Sequence, residues 1–127
     1  MKRDMDLIRD LLLRIEDASE EPNSSAFIKE CDETEKDRVT NHLRLLHEAG
    51  LIKGIISNPL SGRWRIQNIE LTWQGHDFVG TVRDPEVWAR TKETAQKAGA
   101  GAIELVWGIA KEVAKAEIKR RTGFDVG

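Results

Sequence analysis

The sequence predicts an α+β fold in the order helix, short strand, helix, β-hairpin, then further helices. Three observations predict it. Apolar residues recur at helical spacing in two early segments: Met5, Ile8, Leu12 and Ile15 in one, Val39, Leu43 and Leu46 in the other. Gly50 follows the second segment at once, where a left-handed residue ends a helix cheaply. From Leu51 the pattern changes to two β-rich runs, LIKGIIS and RWRIQNIELT, joined by the turn residues of NPLSG.

The first helix covers residues 3–17. Leu11 widens its stripe, while Leu7 and Leu13 lie off it and require cover on another side. Asp4 and Asp6, beside Lys2, Arg3 and Arg9, suit a first turn. The polar breakers ASEEPNSS close the helix, and the short apolar piece AFIKEC reads as a strand. The second helix ends at Ala49, with Leu51 and Ile52 placing apolar side chains past Gly50 as Schellman endings prefer. In the hairpin Trp64 and Ile66 alternate with Arg63, Arg65 and Gln67; Ile69 and Leu71 have the opposite parity, which predicts a bulge or a strand end near Asn68.

Thr72 caps a helix over WQGHDFVGTVR with Phe78 and Val82 four apart. Asp84 and Pro85 are a cap and first-turn pair for a helix to about Ala98, stopped by Gly99. The last helix, about 102–121, buries some of Ile103, Val106, Ile109, Ala110 and Val113 and ends at Gly123, with its basic residues at the negative end of the dipole. Residues 1–83 therefore form the main domain, and 84–127 an extension that packs on it in a single compact unit or serves as a dimer interface.

Composition narrows the function. The 127 residues carry a formal net charge of -2, so only a local basic patch can bind nucleic acid. Cys31 is the single cysteine, which excludes an intrachain disulfide and fits the cytoplasm. The N-terminus is charged throughout its apolar stretch, unlike a signal peptide, and no run approaches the roughly 20 apolar residues of a membrane span. HEAGL at 47–51 lacks the second histidine of a zinc-protease helix, and His42 and His47 are spaced to point in different directions. There is no phosphate-binding glycine loop and no Gly-x-Ser-x-Gly. No catalytic residue, metal, cofactor or small-molecule ligand is expected, and the chain does not read as an enzyme.

The element order is that of a winged helix. In that arrangement Val39, Leu43 and Leu46 pack on the first helix and leave the opposite face for a DNA groove, while Gly50 sets the hairpin, the wing, beside it. The exposed residues are then Lys36, Arg38, Thr40, Asn41, Arg44 and His47. Arg38 and Arg44 suit guanine or a phosphate, Asn41 suits adenine, and Thr40 suits a base edge or a phosphate. Lys53, Arg63 and Arg65 on the wing would take phosphates. Glu33, Glu35, Asp37 and Glu48 flank the same helix and oppose phosphates, so useful affinity requires a homodimer. The small residues of GAGAIELVWGIAKEVAKAE allow close helix approach, placing that interface at Val106, Trp107, Ala110 and Val113.

HLRLLHEAGLIKG resembles the end of the recognition helix and start of the wing in many bacterial winged-helix regulators. LTWQGHDF resembles their leucine-threonine, two residues, glycine step out of the wing. One departure is that such regulators carry a short helix before the recognition helix, for which IKECDETEKD leaves little room. Over nearly the whole chain, MKRDMDLIRDLLLRIE, HLRLLHEAGLI, LTWQGHDFVGTVRDPEVWARTK and the small-residue last helix resemble domain of unknown function 2513, a family of short bacterial and prophage proteins. The resemblance implies a winged helix and a mobile-element context. The expected function is a double-stranded-DNA-binding, transcription-regulating protein. The alternative is a protein-interaction module that keeps the fold without DNA affinity, favoured by the low positive charge and the acidic 16–37 segment.

Overall fold

Asp4 opens the first helix, α1 (Met5–Asp17): its carboxylate accepts from the Leu7 amide at 3.1 Å, satisfying one of the donors a helix start leaves open. In this computed structural model, which describes residues 3–60, 62–99 and 102–123, α1 is followed by α2 (Ser25–Ile28), α3 (Glu33–Glu48), β1 (Ile52–Ser57), β2 (Arg65–Leu71), α4 (Trp73–Val82), α5 (Pro85–Ala98) and α6 (Ile103–Thr122). Lys2 of the first-turn charges, Ser61 of the NPLSG turn, and Ala100 and Gly101 of the last small-residue run lie outside the described residues. The fold is mixed α and β, with one two-stranded antiparallel sheet among the described residues. Contacts divide the chain into two units, Met1–His76 and Asp77–Gly127, so the division falls inside α4 and not at 83/84.

In the first unit α1 buries Ile8, Leu11, Leu12 and Ile15, and α3 buries Val39, Leu43 and Leu46. A buried imidazole joins the two helices. His42 Nδ1 lies 2.7 Å from the Arg38 carbonyl, and Nε2 accepts from the Asp4 amide at 2.9 Å. A carbonyl only accepts and an amide only donates, so the ring is the neutral Nδ1–H tautomer.

The AFIKEC segment is not a strand. Residues 25–28 form the one-turn helix α2, which buries Phe27 while Ala26 is exposed. Three apolar residues are too few to fix a period, and the inward pair is Ser24 and Phe27, three apart. The strand-like piece lies just before it. Ile69 donates to the Pro22 carbonyl and Ser24 donates to the Ile66 carbonyl, each at 2.8 Å. The Ser24 hydroxyl and Asn23 side chain then accept from the Ile66 and Asn68 amides. Pro22–Ser24 thus covers the outer edge of β2, an edge that would otherwise expose unpaired main chain.

The abrupt change from α3 to β1 has a complete hydrogen-bond account. Gly50 sits at φ +77°, its amide bonds to the His47 carbonyl, and the Leu51 amide reaches back to the Leu46 carbonyl. That pair of bonds is a Schellman ending, with Leu51 buried as its apolar contact. Thr72 closes the far side: its amide donates to the Leu51 carbonyl, its hydroxyl donates to the Gly50 carbonyl at 2.5 Å and accepts from the Gly75 amide at 3.0 Å. One threonine therefore caps α4 and ties it to the end of α3. Of the two alternatives near Asn68, a bulge or a strand end, the bulge is present. The register shifts between Lys53 and Ile55, and Asn68 has φ +54°, so that Ile66, Ile69 and Leu71 all turn inward despite their parity.

In the second unit the Asp84 carboxylate accepts from the Glu86 and Val87 amides and Pro85 occupies the first turn of α5. Gly99 and Gly123, both left-handed, end α5 and α6. Val87, Trp88, Thr91 and Ala95 of α5 and Ile103, Val106 and Ala110 of α6 are buried, while Ile109 and Val113 are half-buried.

Candidate nucleic-acid interface

The outward stripe of α3 follows helical spacing through Glu33, Asp37, Asn41, Arg44 and Glu48. Three of these five are acids, so the face that would meet a groove is negative before any pairing is considered. The basic candidates are moreover held by carboxylates. Lys36 pairs with Glu33 at 3.3 Å. Arg38 donates to Glu35 at 3.0 Å and to the Asp4 carboxylate, and its side chain is half-buried. Arg63, just before β2, reaches back across the hairpin to α3: Nε donates to Asp37 at 2.9 Å and Nη2 to Glu33 at 2.8 Å. Lys53 pairs with Glu70 across the strands at 3.0 Å. These contacts hold the Glu33 carboxyl below the ordinary range, chiefly through Arg63 and then Lys36, and raise the Arg63 guanidinium. Lys53 likewise lowers Glu70.

Arg44 is placed differently. Its guanidinium lies over the Trp64 ring at 3.9 Å, a cation–π stack that braces α3 against the hairpin, and Glu48 is 4.0 Å away. Its Nε is buried without a hydrogen-bond partner. Asn41 is half-buried and shares with Arg44, Leu45 and Glu48 an open hollow of about 300 Å³. Arg65 is exposed on β2 and, among the described residues, has no carboxylate partner.

Thr40 does not belong to this face. It is 1% exposed and packed in the core with its hydroxyl unpartnered, because it lies one position from Val39 on the buried side of α3. The residues expected to form a dimer interface also divide. Val106 and Ala110 are buried within the chain, which removes them from any interface. Trp107 is half-buried against Phe78, with ring centroids 5.3 Å apart and Lys111 over its face at 5.0 Å; Val113 is half-buried. The exposed large apolar residues of α6 are instead Leu105 and Ile118.

Sequence reasoning missed the Asp4–Arg38 and Arg63–Glu33/Asp37 contacts, whose partners are remote in the chain. The Glu33–Lys36, Glu35–Arg38 and Arg44–Glu48 pairs carry a signal, three or four residues apart on one helix. It also missed Glu117, a carboxylate 2% exposed that meets Arg90 at 2.5 Å, Arg120 at 2.8 Å and Arg121 at 3.4 Å. No group of histidine, cysteine and carboxylate side chains among the described residues is arranged to hold a metal ion, and no helix among them is long and apolar enough to cross a membrane.

No solved structure matches this chain. An uncharacterized protein of Haemophilus influenzae is 35% identical to it over 123 residues, covering 94% of this chain and 98% of that protein. The family model described as hypothetical protein (DUF2513) matches residues 2–101, and the chain belongs to that family.

Proposed function

We propose that this chain is a winged-helix module that works through protein contacts and leaves duplex DNA unbound at physiological salt. The order α1, edge segment Pro22–Ser24, α2, α3 and hairpin supports the fold. α2 stands before α3, where such regulators carry the short helix for which IKECDETEKD leaves little room. The carrying observation for the function is the charge of the α3 stripe: Glu33, Asp37 and Glu48 lie among the very cations that would take phosphates. Between Asn23 and Leu71 seven acidic side chains balance seven basic ones, so this segment brings no excess of positive charge to a polyanion. Trp73 is 84% exposed at the start of α4, a side chain suited to anchoring a protein interface.

A fluorescence-anisotropy titration of random duplex DNA across a salt series tests this reading. The expected result is no binding at about 0.15 M salt and no steep salt slope below it. Capture of a bacterial partner that is lost in Trp73→Ala would support the protein-contact role. The second reading, DNA binding with transcription regulation, is favoured by exposed Arg65 and by the element order; a log–log salt slope of several units would establish it. A homodimer through α6 would use Leu105 and Ile118, and light scattering of Leu105→Glu against the parent reads it.

A further inference from the structure

We infer that the wing carries a latent polyanion-binding face closed by two carboxylates of α3, Glu33 and Asp37, which hold Arg63 as a phosphate would. The inference rests on the winged-helix reading above. The geometry is that of an internal mimic. Two oxygens from residues one helical turn apart receive the Nε and Nη2 hydrogens of one guanidinium, the edge that arginine offers to a phosphate. The same Glu33 also takes Lys36, so one carboxylate occupies two cations of the face. Arg65, two residues further along the hairpin, is exposed and has no carboxylate partner among the described residues, so freeing Arg63 and Lys36 would leave three cations beside one another in sequence or across the α3–hairpin contact.

The closure does not depend on strong pairs. Glu33 and Asp37 are exposed, and ion pairs of that kind are weak in water. It depends on position. A phosphate that displaced the carboxylates from Arg63 would still meet them on the same turn of α3, and their repulsion would cancel what the arginine contributes. Neutralising them takes the 23–71 segment from zero formal charge to +2 while leaving the Asp32 cap, which accepts from the Glu35 amide, in place.

The test is Glu33→Gln/Asp37→Asn beside the parent, titrated with random duplex DNA over a salt series. The double variant should bind roughly tenfold or more tighter at low salt, with a log–log slope steeper by about two, one unit for each freed cation. A control, Glu104→Gln/Glu112→Gln on α6 of the second unit, makes the same change in net charge outside the α3–hairpin segment and should bind like the parent. Adding Arg63→Ala to the double variant should remove much of the gain. Glu33→Gln and Asp37→Asn alone should each give part of it, which keeps the test open if the double variant misfolds. A double variant that binds no better than the α6 control overturns the inference and leaves the proposed function standing. A parent that binds as tightly as the double variant overturns both the closed face and the proposed lack of DNA affinity.

Discussion

At Gly75 the first atom of any side chain would stand 2.0 Å from the Leu51 carbonyl oxygen, inside a main-chain contact that cannot yield. The glycine is there because α4 starts against the backbone leaving α3. Gly75→Ala should destabilise the chain by about 3 kcal/mol in urea unfolding, since the clash is with backbone and not with a flexible side chain. Gly80, in the same helix, meets nothing within 4 Å. Gly80→Ala should stabilise by about 0.5–1 kcal/mol through helix propensity alone. Equal effects from the two changes would mean that the Leu51 carbonyl does not constrain position 75. His42 makes a similar point through hydrogen bonds. His42→Ala leaves the Asp4 amide and the Arg38 carbonyl without their partner and opens a cavity, for an expected loss of about 2–4 kcal/mol by the same measurement.

The step from hairpin to α4 is an element held by one hydroxyl. Thr72→Ala removes both its bonds, to the Gly50 carbonyl and from the Gly75 amide, and should lose about 1–2 kcal/mol, while Thr72→Ser should retain most of that stability. Much at this scale was legible. The Schellman ending of α3, the bulge at Asn68, the Asp84 cap and the stops at Gly99 and Gly123 all follow from residues adjacent in sequence. The error at AFIKEC has a different origin. Its three apolar residues fit either period, and what decides the matter is that Pro22–Ser24 has already taken the edge of β2, so the chain turns into a helix immediately after.

Across the whole molecule charge is arranged in pairs, and acid should expose this. In the second unit Arg121 donates to Asp84 at 2.8 Å and to Glu86 at 3.0 Å, and Arg120 to Glu117 at 2.8 Å. The Arg121 hydrogen bond is the chief cause that lowers Asp84 below the ordinary carboxylate range, as Arg120 lowers Glu117. A carboxyl depressed on folding adds stability above its unfolded value, about 4, and that addition is lost as pH falls through the folded value. Asp84→Asn keeps a good helix cap but loses the charge. It should lower the urea midpoint at pH 7 and match the parent near pH 2; an equal deficit at both would point to the cap instead. The candidate site was legible only in its residue types. Arg38 and Arg63 could be picked out as basic and near α3, but Asp4, Glu33 and Asp37 reach them across 26 to 34 positions of sequence.

By itself the sequence determined the mixed α and β class, the helix ends and the bulge, because each depends on a glycine, a cap or a parity change within a few residues. Only the tertiary structure decided which cations remain available and that Thr40, Val106 and Ala110 are interior. Ion pairing and burial depend on what lies opposite a side chain in space, and no local pattern of residues specifies that.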